Sequence, residues 1–390
     1  MSGATFSSEA TLSTGRESAL LPTYPETRVT FVEGDGMWLL DGAGRRYLDF
    51  AAGIAVVGLG HRHPAPLAAA HAQLDRLWHS SNLYGTEPVQ VLARRLSDRF
   101  GGAQAFFCNS GAEANEAALK YARKATGKPG VIALEQSFHG RTTGSLAVTG
   151  QPAKRAAFEP LLPGARFARP NDIDSLHAAA SDDVGLILVE PVLGEGGVIP
   201  LEPAFLAAAA ALAEKLGALL AFDEVQTGMG RTGSFFAFEQ LGVRPQLVTL
   251  AKSLANGLPI GALLVADDAA GAFQPGDHGS TFGGNPVICA TAVAVCDTID
   301  EELLQNVRTH GAKLQAGLAS LPGVVDVRGA GLLVGAEFDA PVQPVVDAAL
   351  DAGLVCLSSG PNVLRLAPPL VASSDDVERA LEILTEVTAR

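Results

Sequence analysis

Several short apolar runs limit the folds open to this chain more than any other part of its sequence. Each run is bounded by glycine, proline or aspartate and has the length of a strand. Alanine- and leucine-rich stretches at helical spacing, such as 112–124 and 204–216, lie between most of them. This alternation of strands and helices predicts a largely parallel sheet covered on both faces. The apolar runs are 104–108, 131–134, 184–189, 218–222, 247–250 and 262–265.

The pattern changes after Pro286. A long helix, a strand pair interrupted by glycine, a shorter helix, a further strand and a closing helix are predicted there. These elements are typical of a small α+β domain. Their predicted ranges are 287–318, 324–338, 345–352, 363–366 and 374–389.

The two patterns divide the chain into a large domain and a small one. Residues 51–285 form the predicted sheet domain and residues 286–390 the small domain. The segment 21–50 is assigned to the small domain as its N-terminal part. Residues 1–20 are rich in serine and threonine and lack the apolar run of a signal peptide, so we predict a flexible arm.

The charge of the chain favours small molecules as its ligands. The chain has 390 residues, with 28 Lys and Arg against 42 Asp and Glu, which gives a net charge of −14. Such an acidic surface repels nucleic acids and anionic membranes. The 4 cysteines have no metal-binding spacing, and no third ligand follows His61 and His63, so no metal is expected. Few cysteines also favour the reducing cytoplasm.

Two acidic residues, Asp223 and Glu224, follow the apolar run 218–222. In an open α/β sheet, ligands bind at the carboxyl ends of the strands. A carboxylate there needs a cationic partner, either a metal ion or a protonated ring nitrogen, because its desolvation is costly. A helix cap or a salt bridge to Arg231 is an equally good interpretation of the acids taken alone.

A second candidate site lies where the run 104–108 leads into a helix. Ser110, Gly111 and Ala112 begin this helix, and the free N–H groups of a helix start can bind phosphate. Ser110 and Glu113 also match a capping box. Capping is the better interpretation of this segment by itself.

Most of the chain's lysines are interpreted as solvated surface charges, but Lys252 differs. The lysines are Lys120, Lys124, Lys128, Lys154, Lys215, Lys252 and Lys313. Lys252 ends the apolar run 247–250 and precedes a turn-rich bridge into another buried strand. Burial at such a position lowers the pKa of a lysine towards that of a Schiff-base amine. Lys252 is therefore a candidate nucleophile.

Two further segments carry weaker indications. Residues 228–233 match G-x-G-x-x-G, the pattern of a dinucleotide site, but they follow two acids and precede no helical sequence, so we predict a turn. His139 has no serine or cysteine partner at a catalytic spacing, which favours a loop or core histidine over a general base.

Taken together, these segments resemble the class III pyridoxal-phosphate aminotransferases. The resemblance rests on the strand end 223–226, the Lys252 loop, the helix start at Ser110 and the segment 138–141, and it covers nearly the whole chain. It implies fold type I, with a mostly parallel central sheet in a large cofactor-binding domain and a smaller α+β domain. Segments 107–117, 194–198 and 279–286 are most similar to the acetylornithine-using members.

The resemblance implies a set of contacts to pyridoxal 5'-phosphate. Lys252 holds the cofactor as a Schiff base and then moves the proton between substrate and cofactor. Asp223 keeps the pyridine nitrogen protonated. The other implied cofactor contacts are Ser110, Gly111 and Ala112 at the phosphate, Phe138 and Val225 on the ring faces, Gln226 at the ring hydroxyl, Glu224 beside Asp223, and Thr281 donated across a homodimer interface.

The resemblance also implies how two anionic substrates share one site. Arg141 binds the remote carboxylate of N-acetylornithine, and Arg365 binds the carboxylate beside the reacting carbon of 2-oxoglutarate, which becomes glutamate. Glu195 covers Arg365 in the first half-reaction and moves away in the second, and Ser280 is a further substrate contact.

The preferred donor is the main question that the resemblance leaves open. Ile54 stands where ornithine aminotransferases have a tyrosine that meets the free α-amino group, so an apolar residue there favours an acylated donor. Gly85 stands at a position where many relatives have a second tyrosine. The alternatives are succinylornithine, ornithine, 4-aminobutyrate or an acylated lysine as donor, a nicotinamide-dependent dehydrogenase, and a non-catalytic binding protein with the same fold.

Overall fold

The structure is a computed structural model that describes residues 20–389. The predicted flexible arm, residues 1–20, lies outside the described residues except for Leu20. The strands are β1 (Phe31–Asp35), β2 (Trp38–Asp41), β3 (Arg46–Asp49), β4 (Ala103–Cys108), β5 (Gly130–Leu134), β6 (Ala165–Ala168), β7 (Val184–Val189), β8 (Val192–Leu193), β9 (Ile199–Pro200), β10 (Leu219–Asp223), β11 (Leu247–Leu250), β12 (Gly261–Ala266), β13 (Val324–Ala330), β14 (Leu333–Phe338), β15 (Leu354–Val355), β16 (Leu357–Ser358) and β17 (Val363–Leu366).

The helices differ widely in length. Within residues 20–389, none of them is both long and apolar enough to cross a lipid bilayer. They are α1 (Ala52–Ala55), α2 (Pro64–Leu74), α3 (Glu87–Phe100), α4 (Gly111–Thr126), α5 (Thr143–Ala147), α6 (Pro152–Arg155), α7 (Ile173–Ala178), α8 (Pro203–Leu216), α9 (Pro286–Thr298), α10 (Glu301–Leu318), α11 (Gln343–Asp351) and α12 (Ser374–Thr388).

The largest sheet has seven strands in the order β4-β12-β11-β10-β7-β5-β6. Neighbouring strands are parallel except where β12 pairs with β4 and β11. The prediction of a mostly parallel sheet is therefore confirmed, and each predicted run contributes to one of its strands. The edge strand β6 was not predicted, because Arg166 interrupts its short apolar pattern.

Side chains of the central strands alternate between two apolar layers. Ile187 and Leu220 pack in the layer that contains α8, whereas Leu186, Leu188 and Ala221 pack in the layer that contains α4. Successive side chains of a strand point to opposite faces, so a strand buried on both faces must be apolar throughout. Burying each leucine or isoleucine contributes about 2 kcal/mol.

A second core joins segments that are far apart in the sequence. One small sheet has the order β13-β14-β17-β16. Another has the order β1-β2-β3-β15, in which β15 pairs with β3. Leu48 and Phe50 pack in the same cluster as Val334, Leu366 and Leu384. The N-terminal segment is thus held against the C-terminal third of the chain.

The predicted helix 287–318 is two helices, α9 and α10, separated at Ile299 and Asp300. The Asp300 side chain accepts a hydrogen bond from the Leu303 N–H at 2.9 Å and so begins α10. Helix α9 packs in the core of the large sheet, whereas Leu314 and Leu318 of α10 pack in the second core. We therefore propose that the domain boundary lies near residue 300 rather than at 286.

Loss of this cap should destabilise the protein. We expect Asp300→Ala to lower the free energy of unfolding by about 1 kcal/mol, because the Leu303 N–H loses its acceptor. Asp300→Asn, which keeps a side-chain oxygen, should retain most of the stability in the same urea titration. An equal loss in both variants would contradict the capping role.

Candidate active site

A cavity of about 450 Å³ opens at the carboxyl ends of β4, β7, β10 and β11. Most of the site residues predicted from the sequence line it, although they come from separate parts of the chain. The parallel arrangement explains this convergence, because the ends of parallel strands lie along one edge of the sheet. The predicted residues in the cavity wall are Ser110, Gly111, Ala112, Phe138, Arg141, Glu195, Asp223, Val225, Gln226 and Lys252.

Asp223 is held rigidly at the end of β10. Its Oδ2 atom accepts a hydrogen bond from Asn115 Nδ2 at 2.8 Å and lies 2.7 Å from His139 Nδ1. Its Oδ1 atom accepts from the Val225 N–H at 3.0 Å. The Thr249 hydroxyl donates to Asn115 Oδ1 and thereby fixes which way the Asn115 amide faces. Asp223 is only 3% exposed, so this network replaces the water that the carboxylate has lost.

His139 is a buried partner of Asp223. Burial acts to lower the pKa of His139, but the hydrogen bond and charge of Asp223 outweigh it and raise the pKa above its ordinary value. This agrees with the prediction of a core histidine and adds a function that sequence reasoning missed, the support of Asp223. The supporting role of Asn115 was missed too, although its position one turn after Gly111 on α4 places it on the same helix face.

Lys252 follows β11 by two residues and faces the same cavity. Its backbone has a φ of 40°, a left-handed value that is strained for a residue other than glycine. Burial lowers the pKa of Lys252 to about 8, although the charge of Glu195 opposes this effect. Between residues 20 and 389, nothing forms a hydrogen bond or ion pair with its amine. A substantial fraction of the amine is therefore unprotonated at mildly alkaline pH.

The start of α4 serves as a helix cap and also offers free donors. Ser110 Oγ accepts from the Glu113 N–H, and the Glu113 side chain accepts from the Asn109 N–H rather than from that of Ser110. The N–H groups of Gly111 and Ala112 have no acceptor in the described part of the chain, and both residues line the cavity. The capping and anion-binding interpretations are therefore compatible.

Gly111 also explains how closely the cavity walls approach each other. A Cβ atom at this position would lie 2.7 Å from Val225 Cγ1. That distance is too short for two carbon atoms, so only glycine allows the helix start to pack against Val225.

The expected cofactor contact of Glu224 is wrong. Its carboxylate accepts hydrogen bonds from the Ala237 N–H at 2.7 Å and the Phe238 N–H at 2.9 Å, outside the cavity. Asp223 and Glu224 are consecutive, and consecutive side chains at a strand end point to opposite sides. Burial raises the pKa of Glu224 to about 8.

Arg231 forms neither the salt bridge considered for it nor part of a dinucleotide site. Its side chain donates to the carbonyl oxygens of Leu332 and Pro368. Residues 228–233 form turns, as the sequence predicted, and no α-helix directly follows them. The glycine pattern therefore does not place a helix start where a pyrophosphate could bind.

Arg365 is 3% exposed, lies in β17 and is not one of the residues that line the cavity. It forms an ion pair with Glu195 and donates to the Gly194 carbonyl at 2.9 Å. Burial acts to raise the pKa of Glu195, but the charge of Arg365 prevails and lowers the pKa below its usual range. Gln226 Nε2 also donates to Glu195 at 3.4 Å. The buried cation thus has a neutralising carboxylate.

Arg141 has the opposite environment. It is exposed at the mouth of the cavity, and its guanidinium lies 5.7 Å from the centre of the Phe138 ring. No carboxylate from the described residues pairs with it. Arg141 in the cavity wall is therefore free to bind an anion, whereas Arg365, which pairs with the cavity residue Glu195, is neutralised.

Some predicted residues lie outside the cavity. Ser280 Oγ accepts from Asn109 Nδ2 at 3.2 Å and from the Gly283 N–H at 2.9 Å. Thr281 is exposed and lines a separate cavity of about 200 Å³. A single chain thus leaves Thr281 away from Lys252, and its donation across a dimer stays a prediction. Ile54 is 45% exposed and does not line the active-site cavity.

Glu190 is a cavity residue that sequence reasoning missed. It directly follows β7, and its carboxylate accepts from the Phe138 N–H at 2.8 Å and the Gly194 N–H at 3.2 Å. It therefore ties the loop that carries Phe138 to the turn that carries Glu195. Burial raises the pKa of Glu190 to about 7. The signal was present, because an acid directly after a buried strand is the pattern that identified Asp223.

Comparisons with known proteins agree with this geometry. The family model described as "Aminotransferase class-III" matches residues 22–388. An acetylornithine aminotransferase from Gloeobacter violaceus is 46% identical over 387 residues, which cover 96% of this chain and 96% of that protein. This chain therefore belongs to the class III aminotransferases.

Solved structures show the same fold. The crystal structure of N-acetylornithine aminotransferase from Stenotrophomonas maltophilia K279a matches with a TM-score of 0.82 at 37% identity, covering 94% of this chain and 96% of that one. An ornithine aminotransferase from Toxoplasma gondii, with partial occupancy of PLP at its active site, matches with a TM-score of 0.90 at 31% identity. The match covers 95% of this chain and 92% of that one. The predicted fold class is thereby confirmed.

The lowered pKa of Lys252 predicts how cofactor-free protein takes up pyridoxal phosphate. Only the unprotonated amine attacks an aldehyde, and half of the amine is unprotonated at a pH of about 8. We expect the uptake rate to rise about tenfold per pH unit below this value and to level off above it. Stopped-flow absorbance of the yellow product measures the rate. A rise that continues to pH 10, as for the free amine of N-acetyl-lysine, would contradict the assignment.

Proposed function

We propose that this protein transfers the terminal amino group of N2-acetyl-L-ornithine to 2-oxoglutarate. The products are N-acetyl-L-glutamate 5-semialdehyde and L-glutamate, in a step of arginine biosynthesis. One observation carries the proposal: a cavity lined by a buried amine and a buried carboxylate is also lined by an uncovered arginine, Arg141, and by Glu195, which pairs with a second arginine, Arg365. The similarity to acetylornithine aminotransferases supports this donor.

The cavity residues fit pyridoxal phosphate. The free N–H groups of Gly111 and Ala112 suit a phosphate, and the fixed carboxylate of Asp223 suits a protonated ring nitrogen. Lys252 supplies an amine that nothing else in the described chain engages. When bound, pyridoxal phosphate withdraws electrons from the carbon that carries the transferred amino group.

Lys252 and Asp223 would carry out the catalytic roles. Asn115, His139 and the Val225 N–H fix the position of the Asp223 carboxylate, which would pair with the ring nitrogen of the cofactor. Lys252 holds the cofactor at rest. When its amine is not holding the cofactor, Lys252 would accept the proton from the substrate carbon and donate it again from the same side of the cavity.

Phe138, Val225 and Gln226 would position the cofactor. Phe138 and Val225 line the cavity and present apolar groups that can enclose a flat ring from two sides. Gln226 lies next to Glu195 and would reach the ring hydroxyl. Ser110 would complete the phosphate contacts at the start of α4.

The two arginines would separate the two substrates. With Glu195 paired to Arg365, the charge of this arginine is neutralised, which suits the uncharged carbon chain next to the donor amine. Arg141 then binds the remote carboxylate of the donor. For 2-oxoglutarate, Glu195 moves aside and the carboxylate beside the ketone pairs with Arg365 through two parallel hydrogen bonds. A buried arginine is costly without a partner, so one carboxylate must replace the other.

The active unit would be a homodimer in the cytoplasm. Thr281 lies in an exposed segment outside the cavity, and the family resemblance implies that it binds the phosphate of the partner subunit's site. Ser280, which anchors this segment to Asn109, would lie beside the same shared site as a substrate contact.

Comparison of donors tests the proposed reaction. We expect kcat/KM with 2-oxoglutarate to be highest for N-acetylornithine, compared with succinylornithine, ornithine and 4-aminobutyrate. Lys252→Ala should lower turnover about 1000-fold or more, whereas Lys215→Ala on the exposed end of α8 should not change it. A higher kcat/KM for ornithine or 4-aminobutyrate would refute the proposed donor, and activity of Lys252→Ala would refute the catalytic role.

The proposed assignment of one substrate carboxylate to Arg141 and the other to Arg365 leads to a separate prediction. Arg141→Ala should raise the KM for N-acetylornithine about 30-fold, because a charge-assisted contact worth about 2 kcal/mol is lost. The KM for 2-oxoglutarate should change much less, because its near carboxylate binds Arg365. Steady-state kinetics with each substrate varied measures both constants. Equal effects on the two substrates would show that Arg141 does not distinguish them.

A further inference from the structure

Lys154 is a cation beside the active site that the sequence placed on the solvated surface. It lies in α6, is half-buried, and its Nζ atom is 4.8 Å from the centre of the Phe138 ring. Phe138 lines the active-site cavity. The chain therefore folds this lysine against a wall of the site.

The position of Lys154 is fixed by a neighbouring glutamine. Its Nζ atom donates to Gln151 Oε1 at 2.6 Å. Gln151 Nε2 in turn donates to the carbonyl oxygens of Gln136 and Ser137, at 3.1 and 3.3 Å. These carbonyls belong to the two residues that directly precede Phe138 in the chain. One hydrogen bond leaves two of the three ammonium donors of Lys154 available.

Lys154 and Arg141 are two neighbouring cations without a directly paired carboxylate in the described part of the chain. Both lie close to one aromatic ring, and among residues 20–389 neither forms an ion pair with a carboxylate. Arg365, in contrast, is neutralised by Glu195. Burial lowers the pKa of Lys154, the charge of Glu195 opposes this effect, and the charges of Arg141 and Arg365 add to it. Two neighbouring cations of this kind repel each other, so an anion that binds between them is stabilised by both.

We propose that Lys154 is a specificity-determining residue that binds the remote carboxylate of the amino donor together with Arg141. The inference rests on the proposed function and adds a second charge to the donor side of the site. Arg141 supplies a planar pair of N–H donors, and Lys154 supplies a point charge on a flexible stem. The carboxylate between them selects donors that have an acidic group far from the reacting amine.

The test compares two donors that differ by this carboxylate alone. N-acetylputrescine has the same amine and acetamide as N-acetylornithine but no carboxylate. In single turnovers of the holoenzyme without 2-oxoglutarate, Lys154→Met should raise the apparent Kd for N-acetylornithine about tenfold, as loss of one charge-assisted contact does. The apparent Kd for N-acetylputrescine and the limiting rate should change less than about twofold. Lys154→Arg should restore binding, and Lys215→Met is the matched control.

A binding measurement complements the kinetics. N2-acetyl-L-norvaline has the acetamide and carboxylate but no terminal amine, so it binds without reacting. Its calorimetric Kd should also rise about tenfold in Lys154→Met. Methionine keeps the apolar stem against Phe138, so the change reports the lost charge rather than lost packing.

The outcomes separate this inference from the proposed function. Equal weakening for both donors, or no weakening for either, overturns the role of Lys154. If the wild-type enzyme uses ornithine in place of N-acetylornithine, the proposed donor is wrong. The same comparison is then made with ornithine and putrescine, and a tenfold difference still supports Lys154 as a carboxylate contact.

Discussion

The active site depends on how one buried carboxylate is held. Asp223 is almost entirely removed from water, and Asn115, His139 and the Val225 N–H together replace its lost hydration. A buried carboxylate that is hydrogen-bonded in this way has a fixed position from which it can pair with a cation in the cavity. Lys252 reaches the same cavity because it follows a neighbouring parallel strand. The parallel sheet is therefore what brings the acid and the amine together, and the other cavity residues act around this pair.

The large sheet was predictable because its strands are apolar at nearly every position and are bounded by turn residues. Lys252 and Asp223 were predictable for the same reason, since a polar residue at the end of such a strand lies at the ligand-binding edge. The break between α9 and α10 was not predicted. The apolar pattern continues through Ile299, and neither glycine nor proline interrupts it, so Asp300 was the one local sign of a new helix.

The acids near the cavity show where sequence reasoning fails. Glu224 was counted as a cofactor contact because it is next to Asp223, but the strand directs its side chain to the opposite side, where it caps a turn. Glu190 was overlooked, yet it bonds to both loops that frame the cavity. Sequence proximity does not decide which acid faces a ligand, because the direction of a side chain depends on the pleat of its strand.

The sequence by itself determined the layered α/β architecture, the start of α4, and the placement of Lys252 and Asp223 at strand ends. These features depend on residues within a few positions of one another. Tertiary structure alone decided how the charges are paired. Arg365 meets Glu195 across a sequence separation of 170 residues, whereas Arg141 and Lys154 receive no carboxylate within residues 20–389. Such pairing depends on distances between remote segments, and these distances arise only when the chain folds.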